Sequence, residues 1–346
     1  MFRLSDLTNK DKSPQPPAPP SPPVLPASRQ IIDTPQTPPT PPASPPQKTS
    51  ELERVYSHLY EELVSCVKVL FEQARAGQPL DLAPAWRLVK QLPTVNTQEC
   101  QTLLGLLERH SRDNYLYTHV VNVAILAAHL GHCLGHPEES VYDLALAGLL
   151  HDVGMTGEAE QVASLPRKLT AEEWKVIAKH PAKALEHLKT AKGLPQDVLD
   201  AISTHHKRLD GSGYPTGAEG VALADFGKIL AVCDVYDALT HPRSYRNRFS
   251  PAQAIKVLVD GANTKFDRRV IKALVDALSL YPRGSVVRLS TNEIAKVELV
   301  HPEAPLRPVV LISRDANQVP LPTPRRVDLV EQPFVYIKEV VTDEEL

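Results

Sequence analysis

Cysteine, tryptophan and methionine are all scarce in this chain, which has four, two and two of them in 346 residues, and aromatic residues make up only 5%. The four cysteines (Cys66, Cys100, Cys133, Cys233) stand far apart with no CxxC pair. That spacing suits buried thiols in a reducing cytosol better than a disulfide framework. Charge of one sign is also missing. The formal net charge of −3 argues against an extended basic surface for long nucleic acids, although a local basic pocket for one small phosphate ester remains compatible with it. No apolar run approaches the roughly 18–20 residues of a membrane span, and MFRLSDLTNKDK has no apolar core of a signal peptide. A cytoplasmic protein without a membrane span is expected, and no internal repeat is visible.

Proline, by contrast, is abundant, with 33 residues in the chain. From Ser13 to Pro46 roughly every second residue is proline, which denies that stretch regular hydrogen-bonded structure. Residues 1–48 are therefore expected to be a disordered, proline-rich tail. Its PxxP spacings suit a groove on a protein partner, although proline density alone makes such spacings inevitable. Order should begin near Ser50, an N-cap with Glu53 three residues on, followed by Val55, Leu59, Leu63 and Val67 at helical spacing. Two more helices are predicted around Pro84–Leu92 and Thr97–His110. A long apolar segment, Tyr115–Leu134, then opens a helical region that continues to about Leu280. After Pro282 the chain changes to short β-branched runs, Ser285–Leu289, Ala295–Val300, Pro308–Ile312 and Phe334–Ile337, broken by Pro, Asn and Asp. The predicted division is a tail (1–48), an N-terminal helical region (49–110), a helical domain (111–282) and a small β-rich appendage (283–346), mainly α overall.

The chemistry lies in polar residues that interrupt apolar helices. His119 sits inside YLYTHVVNVAILAAHL, and alone it reads as an ordinary hydrogen-bonded histidine. The run LALAGLLHDVG is different, because it sets His151 and Asp152 at the end of a strongly apolar segment where an unpaired carboxylate is costly to bury. A metal ion removes that cost, and one carboxylate can serve two ions, so Asp152 is the candidate bridge. His180 in AKHPAKAL, His205 and His206 in AISTHHKRLDGSGYP, and Asp234 in KILAVCDVYDALT follow, each on or at the end of a predicted helix. Neighbouring helical side chains diverge by roughly 100°, so His205 and His206 need not serve one ion. Five histidines and two aspartates suit two transition metals that share a carboxylate and a hydroxide.

In order, HDVG, HH, RLDGSGYPTG, DVYDALT and RSYR resemble the motifs of the HD-GYP family, a match running from Tyr115 to Leu280. The resemblance implies an all-helical HD-type bundle, an iron or manganese centre of two ions, and hydrolysis of cyclic di-GMP to linear pGpG or GMP by a metal-activated hydroxide. It implies that His119, His151, Asp152, His180, His205, His206 and Asp234 are the metal ligands, with His151 and Asp152 at the catalytic heart. It further implies that Arg243 and Arg246 clamp phosphate, a task that suits the guanidinium fork, and that Gly211, Gly213, Tyr214 and Pro215 present backbone to the ligand. Three positions depart from the pattern. Tyr115 stands where members with a third metal carry Glu, which favours a dinuclear site because a phenol ligates poorly at neutral pH. Met155 replaces a lysine expected near substrate phosphate, and Lys207 replaces the Glu that follows HH. Met155 and Lys207 keep open a second reading, a catalytically weak sensor of cyclic di-GMP that signals through its tail or its β appendage. A third, an HD enzyme for another nucleotide, is disfavoured by the intact GYP block.

Overall fold

A computed structural model describes residues 51–93, 98–107, 115–165, 167–215, 223–241, 249, 251–278, 281, 284–301 and 304–341. The proline-rich tail, Arg243 and Arg246 lie outside the described residues. Twelve described helices precede a five-stranded sheet: α1 (Glu51–Arg75), α2 (Ala83–Val89), α3 (Gln98–Leu106), α4 (Tyr115–Cys133), α5 (Glu138–Leu150), α6 (Glu158–Ala163), α7 (Ala171–Ile177), α8 (His180–Leu188), α9 (Gln196–Thr204), α10 (Asp225–Thr240), α11 (Pro251–Asp260) and α12 (Arg268–Leu278).

α4 is the axis of the helical body. Its residues from Thr118 to Gly131 are buried without interruption, as an all-round apolar helix must be in water. Around it pack α1, α5, α10 and α12. α1 is amphipathic and buries Leu59, Leu63, Val67, Leu70 and Phe71 along one face. Val55, an apolar position of the predicted stripe, is instead exposed. One hydrophobic cluster runs unbroken from Leu59 on α1 to Leu274 on α12, so the region 49–110 shares its core with the helical domain. At its far end Arg75 makes a two-nitrogen contact with the Glu160 carboxylate on α6, at 2.6 and 2.9 Å, and donates to the Tyr117 hydroxyl on α4. Among the described residues no helix is long and apolar enough to cross a membrane.

The appendage is an antiparallel sheet of β1 (Val286–Leu289), β2 (Ile294–His301), β3 (Ala304–Arg314), β4 (Pro320–Asp328) and β5 (Ile337–Val340), ordered β4-β3-β2-β1-β5. Its register sets Val287 opposite Ala295, Val297 opposite Val310, and Val310 opposite Val327. It has a core of its own, built on Val287, Leu289, Val297, Val310, Ile312 and Leu329. Two features differ from the sequence reading. Phe334–Tyr336 precede β5 as a loop, with Phe334 92% exposed and Val335 packed against the sheet's core. β4 was not expected at all, because Pro320, Pro322 and Pro324 argue against a strand. Those prolines are tolerated because β4 is an edge strand. Prolines at every second position all drop their N–H on the same side, and the side without a neighbour is where nothing is lost.

Candidate metal centre

Five chain segments converge on one buried point. α4 contributes His119, the C-terminal end of α5 contributes His151 and Asp152, α8 begins with His180, α9 ends against His205 and His206, and α10 contributes Asp234. Pro181 in the first turn of α8 suits a helix start there, where its missing N–H costs no helical bond. Arg208 caps the end of α9. Its guanidinium lies 4.9 Å from the Phe266 ring centroid and donates to the carbonyls of His205 and Lys207 at 3.0 and 2.9 Å. Burial pushes this arginine down to about 10.

The seven candidate ligands all meet, in two groups: Asp152, His180, His205 and His206 in one, His119, His151 and Asp234 in the other. Each carboxylate addresses more than one imidazole. Asp152 Oδ1 lies 3.1 Å from His180 Nε2, while its Oδ2 lies 3.7 Å from His151 Nε2 and 3.9 Å from His119 Nε2. Asp234 places Oδ1 3.2 Å from His119 Nε2 and Oδ2 3.4 Å from His206 Nδ1. Asp234 thus spans the two groups as Asp152 does, a symmetry that the sequence reading, which singled out Asp152 alone, did not contain.

The rings are held from behind. His151, His180 and His205 each turn Nδ1 to the backbone carbonyl three residues earlier, on Gly148, Ile177 and Ile202, at 2.7, 2.9 and 2.7 Å. His119 turns Nδ1 to Asp237 Oδ2 at 2.6 Å. A carbonyl or carboxylate accepts only from N–H, so in a neutral ring these bonds select the tautomer that leaves Nε2 bare and facing inward. His180 Nε2 and His205 Nε2 then stand 3.2 Å apart as two lone pairs, an arrangement that a shared cation makes favourable. His151 Nε2 and both ring nitrogens of His206 are buried without a hydrogen-bond partner. Orphaned buried nitrogens beside carboxylates fit a metal site.

The electrostatics agree. Burial alone would raise the carboxyls of Asp152 and Asp234, but the surrounding imidazoles hold both well below the usual range. Burial pushes His151, His205 and His206 down, toward the neutral ring that ligation needs. His119 moves the other way: burial works to lower it, but Tyr115, Asp234 and Asp237 together hold it well above its ordinary value.

The three departures are placed as follows. Tyr115 stacks on His119 with ring centroids 5.6 Å apart. Met155 is only 5% exposed and belongs to the helical core, so its side chain packs in apolar surroundings. Beside it, Lys183 of α8 donates to the Thr156 carbonyl at 2.8 Å. Lys207 is half-buried and pairs its backbone with Gly213. Tyr214 is buried over His206 with ring centroids 4.4 Å apart. Gly211 and Gly213 have φ of 78° and 93°. At Gly213 a Cβ would meet the His206 carbonyl oxygen at 2.1 Å, so the chain's own backbone demands glycine there, independently of any ligand.

Sequence reasoning missed Arg208, Asp237 and Asn122. Asp237 lies one turn after Asp234 and Asn122 one turn after His119, so helical spacing was the available signal.

A family model described as HD domain matches residues 93–270, and one described as KOW domain associated with HD domain matches residues 286–346. Over 259 residues the chain is 34% identical to the cyclic di-GMP phosphodiesterase PA4108 of Pseudomonas aeruginosa, a match covering 75% of this chain and 62% of that protein. It is 30% identical to the cyclic di-GMP phosphodiesterase PdeB of Borreliella burgdorferi, covering 57% of this chain and 52% of that one. It is also 30% identical to the 3'3'-cGAMP-specific phosphodiesterase 2 of Vibrio cholerae, covering 55% and 36%. The chain thus spans less than two thirds of the length of these relatives. Among solved structures, Bd1817, an HDG"Y"P protein from Bdellovibrio bacteriovorus, superposes with a TM-score of 0.54 at 17% identity, covering 68% of this chain and 74% of that one. That likeness is one of fold.

Proposed function

Because the chain belongs to the HD-domain family, we propose that it is a phosphodiesterase that hydrolyses cyclic di-GMP, with two divalent transition-metal ions, iron or manganese, held by its seven buried His and Asp side chains. The observation that carries this reading is the pair of carboxylates, Asp152 and Asp234, each with one oxygen toward each ligand group. When bound, such ions supply Lewis acidity to the phosphodiester and lower the pKa of water toward neutrality. Curated relatives named for cyclic di-GMP supply the substrate class.

The chain's own residues have separable tasks in this proposal. The carbonyls of Gly148, Ile177 and Ile202 hold three imidazoles with Nε2 inward. Asp152 and Asp234 would hold the ions, each offering one carboxylate oxygen to each ligand group, and Tyr214 covers His206 against water. Arg243 and Arg246, together with the loop of Gly211, Gly213, Tyr214 and Pro215, contact the substrate phosphates. The products are linear pGpG, GMP or both, and the setting is the cytoplasm. A protein partner for the proline-rich tail belongs to the same proposal.

The second reading, a catalytically weak sensor of cyclic di-GMP, draws on Met155, whose buried thioether offers a phosphate no charge. Purified chain loaded with Mn²⁺ or Fe²⁺ and incubated with cyclic di-GMP separates the two. Appearance of linear product that stops on adding a chelator is expected. Saturable binding of the dinucleotide without turnover would overturn the enzyme reading in favour of the sensor.

A further inference from the structure

A buried chain of hydrogen bonds leads from the metal centre to a helix that the family match does not include. His119 Nδ1 faces Asp237 Oδ2 at 2.6 Å, and Asp237 Oδ1 accepts from Asn122 Nδ2 at 2.8 Å. The second amide hydrogen of Asn122 goes to the Leu107 carbonyl at 3.3 Å, and its Oδ1 accepts from the Tyr60 hydroxyl at 2.8 Å. The side-chain members are all buried, with His119 3%, Asp237 2%, Asn122 0% and Tyr60 7% exposed. Tyr60 stands on α1, well ahead of residue 93 where the HD-domain match begins.

The sense of this chain is fixed link by link. A carboxylate only accepts, so Asp237 requires an N–H from both His119 and Asn122. Asn122 therefore turns its NH₂ toward Asp237 and leaves its Oδ1 needing a donor, in a place where water does not reach. The Tyr60 hydroxyl is that donor. Without it a buried amide oxygen is left unpaired, and the cheapest relief is rotation of the Asn122 amide away from Asp237. Asp237 would then lose one of the bonds that orient it toward His119.

We propose that Tyr60 is a positioning residue for the metal ligand His119, acting through Asn122 and Asp237, and that α1 is accordingly part of the functional unit. The bland alternative is that Tyr60 is a core-filling ring whose hydroxyl is merely satisfied. Phenylalanine distinguishes the two, since it keeps the ring and deletes the donor. The inference rests on the metal-centre reading above, so its test is metal affinity and does not depend on which nucleotide is the substrate.

The experiment is titration of the metal-stripped full chain with Mn²⁺ by calorimetry, alongside thermal melting of the same metal-free samples. Tyr60→Phe is expected to raise the Mn²⁺ Kd about tenfold, the lower end of what loss of an outer-shell partner does, while the metal-free Tm falls by a few degrees, as the unpaired buried acceptor requires. Asn122→Ala cuts the chain one link nearer His119 and should raise Kd at least as far. Phe71→Leu, a buried site on the same helix outside the chain of bonds, should lower Tm and leave Kd unchanged. An unchanged Kd in Tyr60→Phe overturns the proposal, as does a Phe71→Leu effect on Kd as large as that of Tyr60→Phe. A wild-type chain that binds no Mn²⁺ overturns the metal reading and this inference together.

Discussion

Gly154→Ala adds one methyl group where the chain has no room for it. The turn carrying His151, Asp152 and Gly154 lies directly on the first turn of α8, and a Cβ at Gly154 would meet the His180 carbonyl oxygen at 2.0 Å and the Ala184 nitrogen at 2.6 Å. Real Cβ atoms essentially never come within 3.0 Å of such neighbours, so the two segments must part by about 1 Å. The obstacle is backbone on both sides, and no rotamer change relieves it. Asp152 rides on one segment and His180 on the other, 3.1 Å apart across the gap. Overpacking of this kind costs about 1–3 kcal/mol, which at about 2–4 °C per kcal/mol for a body of this size predicts a Tm loss on the order of 2–12 °C. A displacement of about 1 Å at reacting groups can cost on the order of a hundredfold in rate. The assays are elemental analysis for metal, thermal melting, and turnover of cyclic di-GMP. Gly105→Ala is the control, since Gly105 lies in α3 with nothing within 4 Å of an added Cβ; it should keep metal and rate and gain up to about 1 kcal/mol. A Gly154→Ala protein with wild-type metal content and wild-type rate would refute the reasoning.

Elemental analysis should find about two ions per chain, and Asp152→Ala should lose them, because the substitution removes the carboxylate that spans both ligand groups. Met155→Lys, expected from the motif alone to increase hydrolysis, should instead first lower the Tm, since the side chain it replaces is buried in the helical core; an unchanged melting curve would show that the ammonium escapes to solvent. His129, which burial pushes down to about 4, stays neutral in the fold while the unfolded chain takes up a proton below about 6.5. Its contribution is therefore intact above 6.5 and lost as pH falls toward 4, by about 3 kcal/mol, and His129→Leu should flatten urea-melt stability across that window.

The His and Asp cluster was legible because its residues violate their surroundings. A histidine followed by an aspartate at the end of LALAGLL has no bland partner in sequence, and the fold supplies it with four helices' worth of others. Asp237 and Asn122 were not legible for the opposite reason: each satisfies the other, and nothing about a polar residue one turn from a ligand announces which way it faces. Tyr60 was hidden by its ring, which reads as one more apolar position of an amphipathic helix. Gly213 was legible as a requirement but not as to its cause, since the obstructing atom, the His206 carbonyl oxygen, belongs to a residue seven positions earlier. β4 was invisible because the rule that prolines oppose strands holds for central strands, and sequence does not say which strand is at the edge.

The placement of those prolines bears on how chains can associate. A sheet grows by adding strands to open edges, and unlimited growth needs two of them, one to receive and one to offer. Here the β4 edge has Pro320, Pro322 and Pro324 along its first half, leaving β5, four residues long, as the other boundary. Strand addition along the first half of β4 is therefore disfavoured, because Pro320, Pro322 and Pro324 offer an incoming strand no N–H there.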